Sequence, residues 1–178
     1  MKRKDYQEIL SDCCKIIPGL DDEAMVRIAD QILAANNVFV VALGRSRLNM
    51  MNFAERLREL KIRAFVVGDI STPSIHKGDL LFIASSSGET SSLVTFAKKA
   101  VSYGVEYVLF TMSPNSTLAK SASQVFLIHY DKPEELTLGF GNYSEWCTYL
   151  IFEAMVVYLA RKMGKSMEAL SEEACNLY

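Results

Sequence analysis

The sequence is short of the side chains that hold metals and run redox chemistry, with four cysteines and two histidines in 178 residues. Cys13, Cys14, Cys147 and Cys175 show no metal-ligand spacing, and an adjacent pair is poorly placed for a disulfide. The expectation is reduced spectator thiols, no metal and a cytoplasmic setting. Charge of either sign is not in excess: the formal net charge is −2 and half the residues are hydrophobic. That balance excludes disorder and gives no basic surface for nucleic acid. No apolar segment follows Met1–Asp5, so no signal peptide is expected. No run reaches the roughly 20 apolar residues of a membrane span, because Glu153 interrupts the most hydrophobic stretch. Repeats, low-complexity segments and linkers are absent as well. Glycine is sparse where nucleotide sites need it. Gly44-Arg45-Ser46 lacks the later glycines of a dinucleotide fingerprint and the Gly-Lys-Ser/Thr of a P-loop.

What the chain does contain is an apolar run that stops abruptly in hydroxyls. Leu80 to Ala84 is wholly apolar and short, the pattern of a strand buried on both faces of a parallel sheet. Ser85-Ser86-Ser87-Gly88-Glu89-Thr90 follows. A helix is then predicted over about 90–103, with Leu93, Val94, Ala97, Ala100 and Val101 at helical spacing. A strand that turns through hydroxyls into a helix gathers backbone N–H groups, the positive end of a helix dipole and side-chain donors at one point. Such a turn suits an anion, above all a phosphate, although a serine-rich loop with an ordinary helix cap reads the same way. Glu89 would repel a phosphate, so it is expected to point away from the anion or to complement the dipole.

The rest of the chain repeats this plan. Helices are predicted over 4–17, with Ile9, Leu10, Cys13, Ile16 and Ile17 on one face, and over about 21–36. Strands follow at 38–43, 63–67, 107–111 and 125–129, most of them separated by helical patterns. A tight turn at Gly44-Arg45-Ser46-Arg47 leads into the helix bearing Met50, Phe53, Ala54 and Leu57. A long helix is predicted over about 142–163 and a last short one over 166–177. This alternation implies an α/β fold, a three-layer sandwich with a five-stranded parallel sheet flanked by helices. One domain spans 1–178, with N-terminal helices over 1–36, a sheet core carrying the loop over 37–130, and C-terminal helices over 142–178.

Ligands of such sheets bind outside the carboxyl ends of the strands. Gly44, Arg45 and Ser46, the loop Ser85 to Thr90, Ser113 to Thr117 and His129 all belong to that edge, and His76 to the other. Arg45 and Ser46 could add charge and hydrogen bonds to a phosphosugar, or Arg45 could be a surface residue. Glu145, expected in the first turn of the apolar long helix, is a candidate base; a dipole-complementing acid is the alternative. The apolar circumference of that helix also points to a homo-oligomer, a dimer or a homotetramer.

With these motifs assembled, the chain resembles the sugar isomerase (SIS) domain family, whose signature Ser-x-Ser-Gly-x-Thr is here Ser85-Ser86-Ser87-Gly88-Glu89-Thr90. Within it the match is to the 6-phospho-3-hexuloisomerase branch, through Gly44-Arg45-Ser46, Val66-Val67-Gly68-Asp69, Thr72-Pro73, Lys77-Gly78-Asp79-Leu80-Leu81, Ala97-Lys98-Lys99-Ala100 and Ser116-Thr117-Leu118-Ala119-Lys120. The resemblance implies that Ser85, Ser87 and Thr90 hold a phosphate, with Ser86, Gly88, Gly44, Arg45 and Ser46 completing the substrate site. It also places Glu145, in Gly141-Asn142-Tyr143-Ser144-Glu145, as the catalytic base. The implied activity is cofactor-free isomerisation of a small phosphorylated sugar, interconverting a 3-hexulose 6-phosphate and fructose 6-phosphate through an enediol. The chain departs from the branch at Arg47, which replaces a glycine, at Ser113-Pro114, and at Ala174, where the C-terminal segment of the branch carries a histidine. His129 could take part of that histidine's role, or it ends an edge strand with its ring in solvent. A phosphosugar-binding sensor or regulatory protein without turnover is the alternative.

Overall fold

The computed structural model describes residues 3–174. The strands β1 (Val38–Ala42), β2 (Ala64–Val66), β3 (Leu80–Ala84), β4 (Glu106–Thr111) and β5 (Gln124–Leu127) form one sheet in the order β2-β1-β3-β4-β5. Every pairing is parallel. The helices are α1 (Arg3–Ile16), α2 (Asp22–Ala34), α3 (Gly44–Glu59), α4 (Ser91–Ser102), α5 (Phe140–Lys162) and α6 (Met167–Glu172). Among the described residues this is the expected α/β sandwich.

The strands read as continuous apolar runs because both faces are covered. Val38, Val40, Ala42, Leu80, Phe82, Ala84, Val108 and Phe110 face the core shared with α1, α2, α3 and α5. Their alternates Phe39, Val41, Leu81, Ile83, Tyr107 and Leu109 pack under Leu93, Ala97 and Ala100 of α4. On the first face Phe53 of α3 stacks on Phe152 of α5 at 4.2 Å, and Phe152 meets the Phe110 ring edge-on at 4.9 Å. Aromatic pairs in these geometries add about 0.5–1.5 kcal/mol each beyond their buried area, so they fix how α3 and α5 lie against β3 and β4.

Several boundaries differ from the sequence expectation. There is no separate turn at residues 44–47: Gly44 makes the corner itself at φ +57°, and α3 begins there. A left-handed corner of this kind suits glycine, which has no Cβ to clash. β5 ends at Leu127, so His129 lies beyond it. Helix α5 starts at Phe140, which moves Glu145 from the first turn into the second. Leu10 and Ile17 face outward although they fit the apolar stripe of α1, whose buried face is carried by Cys13 and Ile16. The last helix ends at Glu172, and the part of its expected range at 175–177, including Cys175, lies outside the described residues. Cys13 and Cys147 are buried, and burial pushes both thiols up, that of Cys147 to about 12, which keeps them protonated and inert.

A buried carboxylate ties the N-terminal helix to the start of α5. Asp12 Oδ2 accepts from the Tyr143 hydroxyl at 2.7 Å and from Thr137 N at 2.8 Å, while Oδ1 meets Lys15 Nζ at 2.7 Å. The Lys15 bond, aided by Thr137 and Tyr143, holds the Asp12 carboxyl well below the usual carboxylate range despite the opposing effect of burial. Asp12→Ala strands a buried hydroxyl and is expected to cost about 3 kcal/mol. That corresponds to a thermal midpoint roughly 6–12 °C lower for a chain of this size. Because the folded value lies below the unfolded one, this stabilisation is complete at neutral pH and fades as pH falls below about 4. Asp12→Asn should flatten that acid limb, which acid titration followed by circular dichroism would read.

Candidate functional site

The strand order places β1 beside β3, with the connections after these two strands departing to opposite faces, and this is the crevice where doubly wound sheets take ligands. Two helices begin at that point. Neither α3, preceded by Leu43, nor α4, preceded by Thr90, has a side-chain cap. The first N–H groups of a helix have no intrahelical partner, so both ends present donors and a positive dipole end toward the space above β1 and β3.

The serine loop is held from below. Ser85 is buried, and its hydroxyl accepts from Gly88 N at 3.1 Å and lies 3.5 Å from the Thr90 hydroxyl. The Ser86 carbonyl accepts from Thr111 Oγ1 at 3.2 Å, Met112 N at 3.2 Å and Ser113 Oγ at 3.1 Å, which fastens the loop to the end of β4. Gly88 stands at φ +63°, and a Cβ built there would lie 2.0 Å from Ser116 Oγ and 2.5 Å from Ser116 Cβ. Only glycine fits this corner. The exposed Ser87 accepts from Glu89 N at 3.3 Å, which leaves its hydroxyl proton free to be donated elsewhere. Glu89 accepts from Thr117 N at 2.7 Å. Hydrogen bonding from Thr117, with a smaller contribution from Lys120, holds its carboxyl below the usual range. Glu89 is thus engaged with the neighbouring loop, in keeping with the structural role expected for it.

The Ser86 side chain is placed differently from its neighbours. Its hydroxyl pairs with Ser144 Oγ of α5 at 2.9 Å. Ser46, Ser85, Ser86, Thr111, Ser144 and Thr148 line a crevice of about 10 Å³ under the loop, space for one water and not for a sugar. Arg45, Leu48, Asn49, Glu145, Trp146 and Tyr149 border a separate open groove of about 330 Å³ between α3 and α5.

Glu145 sits at that groove with its side chain 20 % exposed, and Arg45 Nε lies 2.9 Å from Oε2. The carboxylate is ion-paired within a groove that Leu48, Trp146 and Tyr149 also line. The same guanidinium, 67 % exposed, donates through both terminal nitrogens to Asn142 Oδ1 at 3.0 Å, so Arg45 is a surface arginine engaged by Glu145 and Asn142. Asn49 Nδ2 donates to the Glu145 carbonyl at 2.7 Å. Arg47, one of the departures from the branch, reaches Val67 O at 3.1 Å and Asp69 at 2.8 Å, bracing α3 against the segment after β2. His129 does not join this group: its ring is 60 % exposed, and Nε2 lies 2.9 Å from Asp131 Oδ1. Ala174 is exposed at the end of the described chain. Sequence reasoning missed Asn49, Asn142 and Ser144. The last two carried a faint signal, as polar residues opening an otherwise apolar helix.

An uncapped pair of helix ends over a glycine-cornered hydroxyl loop, at the switch point of a doubly wound parallel sheet, marks an α/β protein whose turn presents donors of the kind that suit an anion. The SIS domain profile matches residues 31–158, and the chain belongs to the SIS domain family. It is similar to a protein of Bacillus subtilis (strain 168) named 3-hexulose-6-phosphate isomerase, 31% identical over 185 residues that cover 99% of this chain and 100% of that one. A protein of the same name from Methylomonas aminofaciens is 30% identical over 179 residues, covering 97% and 98%. A Methanococcus jannaschii protein, whose crystal structure is described as inferring a function of 3-hexulose-6-phosphate isomerase, shares the fold at a TM-score of 0.85 and 23% identity, covering 98% of this chain and 99% of that one. No helix among the described residues is long and apolar enough to cross a membrane, and none of their His, Cys, Asp and Glu side chains gather into a metal-holding group.

Proposed function

We propose that the protein is a phosphosugar isomerase that interconverts a 3-hexulose 6-phosphate and fructose 6-phosphate, with Glu145 as the base and the serine loop as the phosphate anchor. The observation that supports this reading is the hydrogen bond between Ser86 of the loop and Ser144, the residue before Glu145, which links the proposed anchor to the helix turn that carries the proposed base. Relatives of about 30% identity over nearly the full chain carry the name 3-hexulose-6-phosphate isomerase, and this supports the choice of substrate.

In this reading the phosphate takes the Ser87 and Thr90 hydroxyls and the amides opening α4. Glu145 removes the hydrogen from C2 of the open-chain ketose, giving a 2,3-enediol as the C3 oxygen takes up a proton. It then returns a proton to C3 while the C2 hydroxyl gives up its own, leaving the carbonyl at C2. The hydrogen count and oxidation level of the molecule are unchanged, so the reaction consumes no electron carrier. Arg45, held against Glu145, is placed to meet the oxygen that becomes negative in the transition state. Anchoring the phosphate lets binding energy far from C2 and C3 orient the reacting carbons.

The competing reading, phosphosugar binding without turnover, draws on Ala174 in place of the histidine of the branch. Substrate chemistry weakens it. A 3-ketose esterified at O6 has no hydroxyl free to close a five- or six-membered ring on C3, so it enters open and needs no ring-opening acid. The lost histidine matters more in the reverse direction, where cyclic fructose 6-phosphate must first open.

The phosphate anchor is tested by binding. Ser87→Ala and Thr90→Val are each expected to weaken fructose 6-phosphate binding about tenfold, and the double variant further, because hydrogen bonds to a charged group contribute about 1.5–3 kcal/mol. Unchanged affinity of the double variant by calorimetry would remove the anchor. A homo-oligomer is also part of the proposal. Leu48, Met51, Trp146, Tyr149 and Leu150 expose a shared apolar face of α3 and α5 beside Glu145. Sedimentation should give a dimer or tetramer at micromolar concentration, and a monomer would contradict it.

A further inference from the structure

The first two turns of α5 are gripped residue by residue from Asn142 to Glu145. Asn142 is held by Arg45, Tyr143 by Asp12, Ser144 by Ser86, and Glu145 by Arg45 and Asn49. These contacts come from α3, α1 and the serine loop, and among those of the described residues Ser86 alone belongs to the loop that would hold the phosphate.

The protons of the Ser86–Ser144 contact can be assigned. Ser144 Oγ lies 2.9 Å from the Gly141 carbonyl, which can only accept. A hydroxyl has one proton, so with Ser144 donating to Gly141 the 2.9 Å bond to Ser86 is donated by Ser86. Both ends are stiff. The Ser86 carbonyl accepts three hydrogen bonds from the end of β4, and Ser144 is buried, with its own carbonyl accepting from Thr148 Oγ1 at 2.6 Å. Successive helix residues point about 100° apart. Ser144 thus faces the loop while Glu145 faces α3, and the position of Ser144 fixes the rotation of the turn that carries Glu145.

We propose that the Ser86–Ser144 hydroxyl bridge is a positioning device through which phosphate on the serine loop sets the aim of Glu145. Ser86 then acts through Ser144 and is not a phosphate ligand, which revises the role implied for it by its place in the signature. A ligand that orders the peptide run 85–90 orders Ser86 with it, and the bridge passes that order to α5. This rests on the isomerase reading for its consequence in catalysis, but the mechanical link is measurable without turnover. The chain has one tryptophan, Trp146, next to Glu145 and half-exposed, so its fluorescence reports on this turn.

The experiment compares wild type with Ser86→Ala, Ser144→Ala and the double variant. It measures turnover of 3-hexulose 6-phosphate, affinity for fructose 6-phosphate by calorimetry, and Trp146 emission during the same titration. Each single variant should lower kcat about tenfold, the effect of one lost hydrogen bond on the alignment of the base. KM and affinity should stay within about twofold. The double variant should be no worse than either single one, since both cut the same link. The ligand-induced change in Trp146 emission should be present in wild type and absent in all three variants. Single-variant effects that multiply in the double variant, or an unchanged Trp146 response in the variants, would overturn the bridge while leaving the isomerase reading intact. A wild type that binds fructose 6-phosphate, shows the bridge-dependent Trp146 response and turns over no substrate would overturn the isomerase reading and leave the bridge.

Discussion

Glu145→Gln is expected to keep the fold and the affinity for fructose 6-phosphate while lowering turnover by about 10²–10⁴-fold, the range of a positioned general base. The amide is nearly isosteric with the carboxyl and still accepts from Arg45, but it cannot take a proton from carbon. The partial exposure of Glu145 and its ion pair with Arg45 make a structural collapse on this change implausible. Exchange of the substrate's carbon-bound hydrogen with deuterium from solvent, followed by NMR, should vanish with turnover. Exchange at the wild-type rate would return Glu145 to a packing role.

Gly88→Ala should have the second large effect, on binding and stability together. The new Cβ would lie 2.0 Å from Ser116 Oγ in a conformation, φ +63°, that alanine adopts only under strain. Neither side gives easily. Ser116 is buried, and Gly88 is tied at both ends, its amide to Ser85 Oγ and its carbonyl to Leu118 N at 3.1 Å. We expect a loss of about 2–4 kcal/mol, from the strain of the corner and the overpacking of Ser116. Phosphosugar binding should fall below detection by calorimetry, because the amides that follow Gly88 move with it. A variant that melts and binds like wild type would show that the loop is not built around this corner.

These two residues also show what a reader of the sequence could and could not see. The serine loop was legible because its chemistry is local: an apolar strand, a hydroxyl turn and an amphipathic helix follow one another in one continuous stretch, from Leu80 to Ser102. The parallel sheet was legible for a related reason, since strands buried on both faces lose the alternation of a half-exposed sheet. Strand ends and helix starts were less so. Whether Gly44 sits in a turn or begins α3 depends on one positive φ, and whether α5 starts at Phe140 or Asn142 depends on how residues 137–139 approach Asp12. The surroundings of Glu145 were the hardest part. Its partners Arg45 and Asn49 lie about a hundred residues away in the chain, and only the packing of α3 on α5 brings them together. His129 shows the converse. Its place near the carboxyl edge was legible, but β5 is the outer strand, and its ring pairs with Asp131 two residues on.

The most direct test of the account is the rate at which 3-hexulose 6-phosphate becomes fructose 6-phosphate in the presence of the purified protein. Conversion that saturates with substrate, exceeds the buffer-catalysed rate and is abolished in Glu145→Gln is the predicted result; conversion at the buffer rate by protein that demonstrably binds the sugar phosphate would contradict it.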